Sequence, residues 1–138
     1  GAMPLFWIKL NATGKSMNPS KTLGNQVEVA VYGWKGDAEL AKKGSGNAFP
    51  FPIVRKDRIH VAQKPDELLE SIISVFSFPG ETVLDNFAGS LSTLRGCYLA
   101  NRNFIGCEEL MDTLTSAVNY TREWGKEGEK DELDPAHS

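Results

Sequence analysis

The residues best suited to chemistry lie between Glu81 and Thr93. Thr82, Val83 and Leu84 read as a short apolar strand of the kind buried in a parallel sheet, and the run ends in a carboxylate, Asp85. Ala88, Gly89 and Ser90 then make a small-residue turn into a helix. Such a turn places backbone N–H groups and a helix N-terminus at the carboxyl edge of the strand, where open α/β sheets bind ligands. The turn must be small because the ligand approaches the backbone closely. A second apolar strand, Phe104 to Cys107, runs into Glu108 and Glu109. An acid there is placed to accept hydrogen bonds from both hydroxyls of a ribose. Strand, glycine turn, helix, strand and acid make a nucleoside-cofactor layout that NAD, FAD and S-adenosylmethionine (AdoMet) folds share. The chain has no GxGxxG, which argues against a dinucleotide.

The elements that must position these residues follow from periodicity. Pro65 opens a helix at its first turn, and Leu68, Leu69, Ile72, Ile73 and Phe76 follow at helical spacing. Pro79 and Gly80 turn the chain into the first strand. Ser92 to Ala100 reads as a helix and Asn101 to Asn103 as a turn. Leu110 to Trp124 reads as an amphipathic helix bearing Leu114, Val118 and Tyr120. Two parallel strands joined by a right-handed helical crossover are the predicted result. Upstream, Pro4 to Lys9 has strand character, and Gln26 to Trp34 alternates, with Val27, Val29 and Val31 on one side. The two strands are predicted to pair antiparallel. Asn11 to Asn25 reads as a loop, and so does Lys35 to Pro52, with one helical turn at Ala38 to Lys42. Ile53 to Arg58 reads as extended.

Just before the first helix stands His60-Val-Ala-Gln-Lys-Pro65. HxxQKP, an apolar helix, a turn, LDxFAGS and FIGxE, in this order from about Ile59 to Leu110, resemble the β-group of bacterial and phage N6-adenine and N4-cytosine DNA methyltransferases, which carry HPTQKP and DPFxGSGTT. Phe6 to Lys9 and Glu28 to Lys35 are similar to the antiparallel hairpin that precedes HxxQKP in these proteins. The resemblance implies an α/β fold: a partial Rossmann-like methyltransferase fold, with a small mixed sheet, flanking helices and that hairpin. It implies AdoMet as cofactor and DNA as the macromolecular partner, within restriction-modification. It also implies roles by position. Asp85 contacts the methionine amino group, Phe87 packs near the adenine, and Gly89 and Ser90 approach the methionine moiety. Glu108 binds the ribose hydroxyls, while Gln63, Lys64 and Pro65 line the methionine side.

Three departures from the family pattern bear on activity. The family's catalytic signature, a polar residue followed by Pro-Pro and an aromatic, holds the exocyclic amine of a flipped base. This chain contains no Pro-Pro, so no catalytic residue is assigned, and the two central strands the signature segment would supply are missing with it. Asn86 replaces the proline after the aspartate. Leu91 replaces a glycine, where a side chain is predicted to narrow or fill the pocket.

Plainer readings stand beside these. Asp85 is equally suited to cap the following helix, and Glu108 to sit as an exposed acid at a helix start. His60 reads as a structural hydrogen-bonding residue. Arg55, Lys56, Arg58 and Lys64 form a local basic cluster whose default is a solvated face. With Lys35, in the loop after the hairpin, Arg55, Lys56 and Arg58 are the candidate nucleic-acid contacts. Trp7, Trp34 and Trp124 read as packing residues.

Composition bounds the rest. The chain has 138 residues, 41% hydrophobic and 24% charged, with a net charge of −3. That is a soluble domain without the basic excess of one that grips DNA alone. No apolar run approaches the roughly 18 residues of a membrane span, and no secretory signal is recognised. Two cysteines, Cys97 and Cys107, lack the companions of a zinc site. They read as buried reduced thiols, which fits a cytoplasmic protein. Residues 1–3 read as a cleavage scar, 4–124 as the methyltransferase-like domain and 125–138 as a disordered acidic tail. Two functions fit. In the first, the chain is the cofactor half of an AdoMet-dependent DNA methyltransferase, completed by an upstream segment or a partner chain. In the second, it is a degenerate domain that binds protein or nucleic acid without catalysis, with open strand edges that favour a partner or a second copy.

Overall fold

Alternation along residues 2–9 is used directly in the structure, a computed structural model: Leu5 and Trp7 are buried and Ile8 is exposed. Residues 1–12, 16, 18–56, 58–60 and 63–133 are described, with side chains as far as residue 126. Strand β1 (Ala2–Lys9) pairs antiparallel with β2 (Val27–Gly33), Phe6 opposite Val29. On its other side β1 pairs in parallel with β3 (Ala48–Phe51), Trp7 opposite Phe49. The order β2-β1-β3 leaves β3 at an edge, where Pro50 is tolerated because an edge strand can do without one donor. This strand replaces the end of the loop predicted over 35–52, and residues 38–42 form no helical turn. There the N–H of Ala41 donates to the Val75 carbonyl at 2.9 Å, so a tertiary bond takes the place of a local one.

Helix α1 (Asp66–Phe76) has Pro65 at its N-cap, one position earlier than a first-turn proline, with Asp66 and Glu67 favourably placed at the positive end of its dipole. One side of α1 covers Leu5, Trp7 and Phe49 through Leu68 and Val75. Another side packs through Ile73 on Cys97, Ala100, Val83 and Phe104. The helix therefore joins the hairpin sheet to a second sheet of two parallel strands, β4 (Thr82–Asp85) and β5 (Asn103–Gly106), with Leu84 opposite Ile105 and Asp85 opposite Gly106. Helix α2 (Ser92–Leu99) connects β4 to β5. The predicted small mixed sheet is thus divided in two, and the parts do not pair with each other.

Helix α3 (Met111–Leu133) packs Ala117 and Val118 against Ala88 and Leu91. The sequence places the start of a disordered tail at Gly125, but the helix continues to Leu133. Glu and Lys are strong helix formers, so a polar run that continues an existing helix need not fray. Residues 134–138 lie outside the described residues.

The strands β4 and β5 are not buried on both faces as predicted. Val83 and Phe104 face the helices, whereas Leu84 is 61% and Ile105 57% exposed. Among the described residues, helices cover one face only. Cys97 is fully buried, and burial pushes its thiol above the ordinary value. Cys107 is exposed, which corrects the prediction of two buried thiols. No helix among the described residues is long and apolar enough to cross a membrane.

Candidate cofactor pocket

The turn after β4 and the segment before α1 face each other across a cleft of about 280 Å³, lined by His60, Lys64, Asp85, Phe87, Gly89 and Ser90, with Leu69, Ala88, Ser92 and Thr93. A neighbouring cleft of about 220 Å³ shares His60 and Ser90 and extends to Asp112, Thr113 and Ser116 at the start of α3. Five of the eight predicted cofactor residues, Lys64, Asp85, Phe87, Gly89 and Ser90, therefore line one cavity.

Asp85 ends β4 with both oxygens engaged locally. Oδ1 accepts from the N–H of Phe87 at 3.0 Å and Oδ2 from the Thr93 hydroxyl at 2.7 Å. It braces the turn rather than capping α2, whose N-cap is Leu91 without a side-chain cap. Glu108 closes the other end of the same turn. Its Oε2 accepts from the N–H of Gly89 at 2.9 Å and its Oε1 from the N–H of Leu110 at 3.0 Å. The N–H groups of Leu110 and Gly89 hold its carboxyl below the ordinary range, with a smaller contribution from His60. Each carboxylate offers about four acceptor sites, so both keep capacity for donors on a ligand. Gly89 has φ +48°, a left-handed conformation suited to glycine.

The HxxQKP segment behaves differently residue by residue. Val61 and Ala62 lie outside the described residues. Gln63 is buried and turned inward: its side-chain oxygen accepts from the N–H of Ile59 at 3.1 Å, and its own N–H donates to the His60 carbonyl at 3.2 Å. It shapes the loop without lining the cleft, and the buried Pro65 does the same at the start of α1. Lys64 lines the cleft and pairs with Glu28 of β2 at 2.8 Å. Its ammonium and that of Lys9 both sit over the Trp7 ring, 5.5 and 5.4 Å from the centroid. Phe87 is 89% exposed, standing at the rim instead of packed into the pocket.

Leu91 does not enter the cleft. It is 5% exposed, and its side chain packs with Ala88 and Ala117 beneath α3. The predicted narrowing is corrected: in the left-handed conformation Leu91 adopts, φ +58°, the side chain is directed into the core. Asn86 is exposed. Of the basic candidates, Arg55 donates to the Asn11 carbonyl, and Lys56 and Arg58 are exposed. Lys35 lines a separate aromatic cleft with Tyr32, Trp34 and Phe76. Phe76 ends α1 while Lys64 precedes it, so Lys35 and the cofactor cleft lie toward opposite ends of that helix. Sequence reasoning missed Thr93 as the partner of Asp85, and Arg95 altogether. The one available signal for Arg95 was a charge inside an otherwise small and apolar helix.

The family model for N6/N4 DNA methylases matches residues 7–119. Type II methyltransferase M.HindIII of Haemophilus influenzae is 43% identical over 84% of this chain and 38% of its own length. DNA adenine methyltransferase YhdJ of Escherichia coli is 44% identical over 49% of this chain and 24% of its own. The chain thus spans well under half the length of these relatives. Among solved structures, the M1.HpyAVI–SAM complex superposes with a TM-score of 0.67 and 28% identity, over 86% of this chain and 60% of that one. The cytosine-N4-specific PvuII DNA methyltransferase, at 14% identity and a TM-score of 0.65, shares the fold. With its motifs in order, its turn braced by two carboxylates and this match, the chain belongs to the N6/N4 DNA methylase family and carries part of that family's Rossmann-like fold.

Proposed function

We propose that this chain, with 4–124 as its domain, is the AdoMet-binding half of a DNA methyltransferase acting at adenine N6 or cytosine N4, and that methyl transfer needs a segment this sequence does not carry. The observation that carries the reading is the pair of carboxylates, Asp85 and Glu108, bound to opposite ends of one turn that lines the cleft, each retaining acceptor capacity. The residues fit the group. A cationic amino group finds Asp85, two vicinal hydroxyls find Glu108, and the left-handed Gly89 has only the Phe87 carbonyl, at 3.7 Å, near the space a side chain would take. At about 280 Å³ the cleft falls just below the range of ligand pockets, roughly 300–1,000 Å³, and the adjoining cleft past Ser90, about 220 Å³, extends it. AdoMet, when bound, supplies a methyl group on a sulfonium. The residues of this chain hold and orient it, which is the larger part of catalysis in a direct displacement. The exposed Phe87 is positioned at the rim to cover an adenine. Lys35, Arg55, Lys56 and Arg58 are candidate phosphate contacts once DNA is held by a larger protein. The setting is a bacterial or phage cytoplasm.

Calorimetric titration with AdoMet tests the pocket. Saturable heat and a rise in melting temperature are expected, both lost in Asp85→Ala. No heat and no thermal shift in the wild-type chain would sink the cofactor reading. The reading frame upstream of Pro4 tests the second half of the proposal, because a Pro-Pro-aromatic signature encoded there would complete an enzyme.

A second reading has its own support. Leu84 and Ile105 on one sheet and Val29 and Val31 on the other are exposed, so a module without catalysis that uses such apolar sheet surface to bind a partner or a second copy also suits the fold.

A further inference from the structure

Arg95 is fully buried in α2, and all three of its nitrogens are engaged. Nε donates to both carboxylate oxygens of Asp66, at 3.0 and 2.9 Å. Nη1 donates to the Ser90 carbonyl at 2.8 Å and to the Thr121 hydroxyl at 3.0 Å. Nη2 donates to the Ser92 hydroxyl at 3.2 Å, and Cζ sits 5.0 Å from the centroid of the Tyr120 ring.

A guanidinium is an expensive way to fill a core. Desolvating it costs several kcal/mol, and apolar side chains of similar volume often serve stability as well or better. What it provides is direction, because its donors leave a rigid plane at fixed angles. Here the acceptors sit on three separate pieces of the chain. Asp66 opens α1 directly after Lys64 and Pro65, Ser90 and Ser92 carry the turn into α2, and Thr121 belongs to α3. The first two pieces are facing walls of the cofactor cleft. The carbonyl that Arg95 holds precedes Leu91, whose φ of +58° is a left-handed conformation costly for a non-glycine residue. Such a turn persists only where its surroundings over-determine it. The bond from Arg95 to Ser90, the Leu91 N–H to the Ala88 carbonyl at 2.8 Å, and the packing of Leu91 under α3 together do so.

We propose that Arg95 is a positioning residue for the cofactor pocket: it locks the Ala88–Leu91 turn to the Lys64 wall through Asp66 and thereby sets the affinity for a nucleoside ligand. The inference rests on the reading of the cleft as an AdoMet site. Its test combines calorimetric titration with AdoMet and amide hydrogen exchange of the unliganded chain, on the wild type and on R95M, R95K and D66N. R95M is expected to weaken binding at least tenfold and to speed exchange of the Gly89 and Leu91 amides at least tenfold, leaving the β1–β2 amides unchanged. R95K, which keeps the charge but not the fork, is expected to recover part of the affinity. D66N, which keeps the acceptor shape but not the charge, is expected to fall between wild type and R95M. Variants that melt earlier yet bind AdoMet as the wild type does, with unchanged exchange at Gly89 and Leu91, would overturn the proposal and leave Arg95 a core residue. If the wild type binds no AdoMet while R95M still releases the turn amides, the cofactor reading fails and the positioning role stands. Should R95M not fold, R95K and D66N decide through the same two measurements.

Discussion

At Leu91 two effects of opposite sign meet. The left-handed backbone favours glycine by about 1–2 kcal/mol, while a side chain buried among Ala88, Ala117 and Val118 contributes roughly 1.5–3 kcal/mol. Packing outweighs strain, so Leu91→Gly is expected to lower stability by about 1 kcal/mol in a urea melt. Its affinity for AdoMet should not rise, because the side chain lies outside the cleft; a large gain in affinity would show that Leu91 obstructs the site. Glu28 offers a prediction in pH. Burial pushes its carboxyl up, but Lys64 and Lys9 together outweigh burial and hold it below the ordinary 4.5. A lowered carboxylate stabilises the fold above the unfolded value, and that contribution is lost as pH falls through the lower folded value. The side chain is 38% exposed, so screening limits the effect to about 0.5 kcal/mol. Glu28→Gln should therefore melt slightly earlier than wild type at pH 7, and the difference should vanish in acid. The placement of Asp85 and Glu108 around the turn was legible as residue type at a strand end. Their partners, Thr93 and the Gly89 amide, were not, since a bond across a turn depends on where the turn closes.

Among the elements, the contact between α1 and α2 is the most tightly specified. A side-chain carbon at Gly96 would stand 2.7 Å from Cβ of Leu69 and 2.9 Å from the Glu70 nitrogen. Gly96→Ala is expected to cost about 1–3 kcal/mol through overpacking, read as a lower denaturant midpoint. An unchanged midpoint would mean the helices do not approach this closely. The order from α1 to α3 was readable in the sequence, because α1 and α3 carry 3.6-residue apolar repeats, the strands between them are short apolar runs, and Pro79, Gly80 and Gly89 mark two of the turns. Strand β3 was not readable. Pro50 within it and Pro52 just after it argue against a strand, and what makes it one is the unoccupied side of β1 over Phe6 to Lys9. The extension of α3 past Gly125 was missed for the converse reason, a composition typical of tails in a run of strong helix formers.

At the scale of the whole molecule, coverage among the described residues is one-sided. Pairing places Phe6 and Ile8 on the same sheet face as Val29 and Val27, the face opposite Leu5, Trp7 and α1. Val29 is 64% and Val31 73% exposed there. Exposed apolar surface of this extent marks an interaction site or an association liability. Val29→Lys with Val31→Lys should change stability by less than about 0.5 kcal/mol, as surface changes do, while reducing self-association in analytical ultracentrifugation. Unfolding of the double variant would show these valines to be core residues. The sequence by itself determined the family, the order of elements from α1 to α3 and the position of the carboxylates around the turn, because these depend on residue types at local spacing. Only the tertiary structure decided that the valine side of the hairpin stays open while the side bearing Glu28 and Tyr32 meets α1. It alone turned Leu91 into the core and put a buried arginine behind the pocket. An apolar repeat shows that a face can be covered, but what covers it depends on which elements are present to pack against it.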